Sequence, residues 1–163
     1  MKKAILYTLL LIGIGSCRNA GNKDSAALQT GTEQVNNQTK HMNNLVSIIE
    51  IPVADFARAV TFYQAVLGVP IEATDMQGTQ MGIIPNEEGT VNVVLAKGPD
   101  YKPTAEGTVI YINAGQDLQS MLDKIEPNGG KVLVPKTQIS PEMGFFALFT
   151  DTEGNKLGLH ATR

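Results

Sequence analysis

LVSIIEIPVADFARAVTFYQAVLG, residues 45–68, decides how the rest of the chain is read. Leu45 to Val53 is dense in β-branched residues. It runs into Pro52, whose missing N–H suits a strand end but not the middle of a ladder. Asp55 then stands where a helix is capped. Behind it Phe56, Ala59, Val60, Tyr63, Val66 and Leu67 recur on one stripe of a 3.6-residue period, and Gly68 sits where a helix closes in the left-handed conformation. The stretch reads as strand, sharp turn and amphipathic helix.

Downstream, a weaker copy opens at Gly107. Thr108 to Asn113 (TVIYIN) is strand-like, and Asp117 precedes Leu118, Met121, Leu122 and Ile125 at helical spacing before Pro127-Asn128-Gly129-Gly130 ends the run. Three short strand candidates follow each helix: residues 71–76, 80–85 and 91–97 after the first, and 131–137, 145–150 and 156–160 after the second. The pattern is an α+β domain built as βαβββ twice. At an offset of about 60 residues, each copy is a unit that cannot bury its own apolar face and must pair with the other. Pairing within one chain and exchange between two chains both satisfy this, so a homodimer is an expectation alongside the monomer.

Three segments carry a resemblance: Glu50-Ile51-Pro52-Val53-Ala54-Asp55 with Phe62-Tyr63 and Leu67-Gly68, the connector Lys97-Gly98-Pro99-Asp100-Tyr101-Lys102-Pro103, and Asp151-Thr152-Glu153-Gly154-Asn155-Lys156. Together they resemble the vicinal oxygen chelate superfamily of glyoxalases, bleomycin-resistance proteins and ring-cleaving dioxygenases, over residues 44–163. The resemblance implies a cup-shaped mixed sheet made by the two units. It also implies a divalent metal held by side chains from the first and last strands of each unit. Counted onto this sequence, those positions are Ile48, Val94, Thr108 and Gly158, none of which is a competent metal ligand. The expectation is therefore a domain without metal or other cofactor, outside the Lewis-acid chemistry of glyoxalase I and of extradiol dioxygenases.

Ahead of the domain, Lys2 and Lys3 lead an uncharged, mostly apolar run from Ala4 to Gly15, and the chain's one cysteine, Cys17, follows Ile14-Gly15-Ser16. The order is that of a secretory signal, and about a dozen apolar residues fall short of the roughly 20 that span a membrane. The site resembles the lipobox of bacterial lipoproteins. Residues 1–16 are then a signal peptide, Cys17 the lipidated first residue, and residues 17–43 a polar tether containing His41. The expected location is the cell envelope, lipid-anchored on the periplasmic or extracytoplasmic face of a membrane. Losing Lys2 and Lys3 takes the formal charge from −3 to −5, a poor balance for binding nucleic acid. With Cys17 at the anchor, the domain has no disulfide, thiolate nucleophile or cysteine metal site.

Strand parity picks the residues that face the cup. On the last strand of unit one, Val91, Val93 and Leu95 turn to the helices, which leaves Asn92, Val94 and Ala96 for the cup. Glu50 shares the face of Ile48. Enclosed in an apolar cup it would serve as base, acid or hydrogen-bond partner; at the rim it would be a solvated or paired carboxylate. His160 shares the face of Gly158 and would line the mouth, and Asn92 is an orienting amide or a cross-strand partner. Tyr63 and Tyr111 have helix-side parity and read as core. Phe145 to Phe149 is an apolar strand covered on both faces, and Ile139 to Gly144 has the turn residues of a loop that could close over the cup.

The candidate ligand set is thus Ile48, Glu50, Asn92, Val94, Thr108, Gly158 and His160, holding a small apolar or amphipathic molecule. The competing reading is a metal-independent glyoxalase-like lyase or isomerase that uses Glu50 or His160 for proton transfer. No set of nucleophile, base and orienting group can be assembled, which favours binding.

Overall fold

A computed structural model describes residues 44–163; Cys17, the expected signal peptide and the expected tether with His41 lie outside the described residues. The order is β1 (Ile48–Pro52), α1 (Phe56–Leu67), β2 (Glu72–Met76), β3 (Thr79–Ile84), β4 (Asn92–Lys97), β5 (Tyr111–Asn113), α2 (Gln119–Leu122), a 3-10 turn (Glu126–Asn128), β6 (Lys131–Ser140), β7 (Gly144–Thr150) and β8 (Lys156–Ala161). The cup is made of two four-stranded mixed sheets, ordered β1-β4-β3-β2 and β5-β8-β7-β6. In each, the first and last strands of a unit run parallel and the rest are antiparallel.

The opening stretch folds as its residues require. Asp55 adopts extended backbone at the N-cap and its carboxylate accepts the Arg58 N–H at 3.1 Å, while Gly68 takes φ 72° and closes the helix by donating to the Gln64 carbonyl. The buried line of α1 is Ala59, Phe62, Tyr63 and Val66. Phe62 was not on the expected stripe. Its ring reaches across to Phe149 of β7, 6.3 Å between centroids, so α1 covers both units and not its own alone.

The second unit's helix is a single turn at Gln119–Leu122 followed by the 3-10 turn, shorter than its apolar spacing predicts. Leu118, Leu122 and Ile125 still enter the common core beside Ile51, Leu95, Ala147, Phe149 and Leu159. Asp117 keeps a capping role by accepting the Gln119 N–H, and it also pairs with Lys136 at 2.7 Å. The segment 139–144 forms the tight connection between β6 and β7. β6 runs on to Ser140, and the turn is tied by Ser140 Oγ, which donates to Glu142 and accepts the Met143 N–H. Gly144, at φ 75°, packs so closely on Ala161 and Thr162 that a Cβ has no room.

The Asp151–Asn155 turn joins the pieces. Asp151 and Asn155 are buried and fully engaged: Asp151 Oδ2 accepts from the Tyr63 phenol at 2.7 Å and from Asn155 Nδ2 at 2.9 Å, and Oδ1 accepts the N–H groups of Glu153 and Asn155. Asn155 also donates to the Pro52 carbonyl and accepts the Thr104 N–H. Burial, reinforced by the charge and hydrogen bond of Asp151, pushes the Tyr63 phenol well up, which keeps it a donor. Tyr63 is the core residue its parity predicted. Glu153 crosses to the start of α1, accepting the N–H groups of Ala54 and Asp55 and pairing with Arg58 at 2.8 Å. An anion at a helix N-terminus satisfies donors that the helix cannot.

Candidate functional site

Alternation along each strand separates the core side from the open side. On β1, Ile51 is buried in the core while Ile48 and Glu50 are exposed; on β4, Leu95 is core and Val94 opposes Glu50. On β8, Leu157, Leu159 and Ala161 are core, which turns Gly158 and His160 to the open side. On β7, Ala147 and Phe149 are core, which turns Phe146 and Leu148 outward. Ile48, Glu50, Val94, Gly158 and His160 thus lie on the face expected of them.

β5 does not follow expectation. Val53 donates its N–H to the Ala96 carbonyl, and the matching bond in the second unit runs from Ala114, not Asn113, to the His160 carbonyl. The two units therefore superpose one residue later than a count from Asn113 implies. Tyr111 becomes the counterpart of Glu50, with Gly158 opposite it as Val94 is opposite Glu50. Tyr111 is 48% exposed on the open face, not core, and Ile112 packs inward. Thr108 lies before β5 with the alternation of Ile112, and it borders instead a small niche of about 200 Å³ with Glu50, Thr104, Glu106 and Lys156. Without an alignment between the units, nothing in the TVIYIN segment reveals this slip.

At the positions counted from the resemblance, Ile48 and Val94 are aliphatic, and Val109, which the corrected register makes the counterpart of Ile48 in place of Thr108, is aliphatic too. At Gly158 there is no space for a carboxylate: a Cβ there would overlap the Tyr111 ring, which lies against the glycine backbone. Among the described residues, no group of three or more His, Cys, Asp or Glu side chains converges.

Two chemistries remain on the open face. In the first unit, the Tyr101 phenol donates to Glu50 Oε2 at 2.8 Å, and that hydrogen bond holds the Tyr101 phenol above its ordinary value. Glu50 is exposed and not enclosed in an apolar cup. Tyr101 belongs to the family-like connector, but only the folded loop brings it to Glu50, so sequence reasoning missed it. Asn92 is a structural amide: its Oδ1 accepts from Asn86 at 3.2 Å and its Nδ2 donates to the Ser47 carbonyl at 3.4 Å.

In the second unit, Tyr111, Ile139, Met143, Phe146 and His160 line an apolar hollow of about 390 Å³. Tyr111 and Phe146 stand edge to face, 6.5 Å apart at 65°. His160 Nε2 lies 2.8 Å from the Met143 carbonyl and pins the lip of the hollow to β8.

The family is settled by comparison with known proteins. The sequence model of the Glyoxalase/Bleomycin resistance protein/Dioxygenase superfamily matches residues 44–159. The chain belongs to this superfamily. A "Glyoxylase-like domain-containing protein" of Didymella fabae is 34% identical over 123 residues, 70% of this chain and 91% of that protein. Among solved structures, glyoxalase I of Zea mays, as a mutant, is similar with a TM-score of 0.54 at 19% identity over 71% of this chain, which spans only 45% of the maize chain. TnmS3, an antibiotic binding protein from a Streptomyces species, is similar with a TM-score of 0.53 at 20% identity, over 72% of this chain and 95% of that one. At these identities the structural likenesses establish the superfamily's fold and nothing about chemistry.

Proposed function

We propose that this superfamily member binds a small apolar or amphipathic organic molecule on the open face of its second unit, without a metal. The observation that carries the reading is the hollow itself. Its volume falls within the range of about 300–1,000 Å³ usual for small-molecule sites, and four of its five lining side chains are apolar or aromatic. Large side chains left this exposed, Ile139 at 42% and Met143 at 59%, cost free energy in water that an apolar ligand would recover. The test is mass spectrometry of organic molecules that copurify with the full chain and with Ile139→Asp. An apolar or amphipathic molecule near one equivalent, lost from the variant, is expected. Recovery from both proteins alike, or from neither, refutes the site.

A second reading is favoured by the Tyr101–Glu50 hydrogen bond: metal-independent proton transfer, with Glu50 as base and the Tyr101 phenol holding its carboxylate in place. In that case Glu50→Gln lowers turnover by about 10² to 10⁴ while binding persists. A purely binding domain gives instead an unchanged or slightly raised affinity. His160 is the alternative proton carrier, but its Nε2 is already committed to Met143.

The domain's setting is proposed from the leader alone: export, cleavage before Cys17 and lipid attachment at its sulfur. Among the described residues no helix is long and apolar enough to cross a membrane. An acyl chain contributes about 0.8 kcal/mol per buried CH₂, so Cys17→Ser should move the protein out of the membrane fraction. Retention after a salt wash would overturn the anchor.

A further inference from the structure

The Tyr111 ring is held in an unusual way. It lies on Gly158 of the neighbouring strand, against hydrogen atoms alone, because any Cβ at residue 158 would occupy the same space. Part of the ring is covered by the β8 backbone, yet the side chain is still 48% exposed and lines the hollow. Phe146, on the strand beyond, meets that ring at 65° and closes one side. A flat ring laid in offset on Tyr111 would share the orientation of its plane and so meet Phe146 at the same steep angle. This places offset stacking and an edge-to-face contact in a single pose, the two geometries that the aromatic quadrupole favours. A saturated ring of the same size gains the burial but neither of these.

The polar groups around the hollow fit the same occupant. A carbonyl only accepts, so the contact with Met143 requires the proton on His160 Nε2, and in the neutral ring Nδ1 is then an acceptor. The Tyr111 phenol makes no hydrogen bond among the described residues, and no lysine, arginine or carboxylate lines the hollow. The wall therefore offers a hydroxyl and an imidazole acceptor, and no ion pair for a charged ligand.

We propose that the hollow selects planar aromatic molecules, uncharged and bearing a hydroxyl or N–H group, by stacking them on the outer face of Tyr111. The proposal rests on the apolar-binding reading above and sharpens it to a ligand class, with Gly158 as the residue that makes the platform possible.

Two probes separate this proposal from the broader reading: 2-naphthol and its saturated analogue decahydro-2-naphthol, which share a hydroxyl and a fused two-ring frame. Each is titrated calorimetrically into the full chain, into Tyr111→Leu, which keeps apolar bulk, and into Tyr111→Phe, which keeps the ring. The wild type should prefer 2-naphthol by about tenfold, Tyr111→Phe should keep that preference and Tyr111→Leu should reduce it to near unity while still binding the saturated probe. Equal affinity of the wild type for both probes overturns aromatic selection and leaves apolar binding standing. No binding of either probe overturns both. A preference that survives in Tyr111→Leu removes Tyr111 as the platform, and a loss in Tyr111→Phe assigns the selection to the hydroxyl and overturns stacking.

Discussion

Strand β8 connects two regions built to opposite specifications. The turn that leads into it, Asp151–Asn155, is closed: Asp151 and Asn155 are buried, their side chains make hydrogen bonds to α1, to β1 and to the connector, and no buried side-chain polar atom among the described residues lacks a partner. The strand's own outward face, at Gly158 and His160, is open. There the neighbours are half-exposed rings and a thioether that find few partners in the protein. The closed region spends its polar groups on holding the two units together. The open one leaves apolar surface in water. The DTEGN turn, one of the segments that carry the resemblance, thus reports on assembly.

The sharpest break of this comparison is Asp151→Ala. It strands the phenol of Tyr63 and the amide of Asn155 in the core, so a loss on the order of 3 kcal/mol in denaturant unfolding is expected, against about 1 kcal/mol for Tyr63→Phe, which removes one hydrogen bond and strands only one acceptor that keeps three other donors. If Asp151→Ala is as mild as Tyr63→Phe, the turn is not what joins the units.

Gly158→Ala tests the open side. Overpacking of this kind costs typically 1–3 kcal/mol, and the new methyl must drive the Tyr111 ring out of place. Combining it with Tyr111→Ala should relieve most of the clash, so the double variant is more stable than the two single effects added together. Additivity would mean that the ring does not rest on the glycine.

The smallest effect separates the regions by pH. Burial alone would raise the Glu153 carboxyl, but the Arg58 guanidinium and the N–H groups of Asp55 and Ala54 outweigh it and hold it below the ordinary value of 4.5. A group depressed in the folded state contributes stability that is present in full above 4.5 and is lost as pH falls through its lowered value. Glu153→Gln should therefore reduce stability at neutral pH and flatten its fall in acid. Equal slopes for wild type and Glu153→Gln would show that the salt bridge does not contribute.

Much of the fold is legible in the chain because it is written in local terms. The Asp55 cap, the Gly68 stop, the strand alternation of β1, β4 and β8 and the repetition of βαβββ each depend on residues within a few positions of one another. The same alternation correctly turned Ile48, Glu50, Val94, Gly158 and His160 outward. The length of α2 was not legible: its apolar spacing runs to Ile125, while the helix ends at Leu122 and a 3-10 turn follows.

The sequence by itself determined which residue types are available to the domain: two aliphatics, a threonine and a glycine at the positions counted from the resemblance, one histidine, and no cysteine within residues 44–163. Only the tertiary structure decided how they combine. Strand parity has a period of two, so the one-residue shift that matches Val53 to Ala114 replaced Thr108 by Val109 as the counterpart of Ile48 and turned Tyr111 to the open face beside Gly158. Likewise Tyr101 meets Glu50 only because the connector folds back across 51 positions of chain, a contact that no local rule encodes.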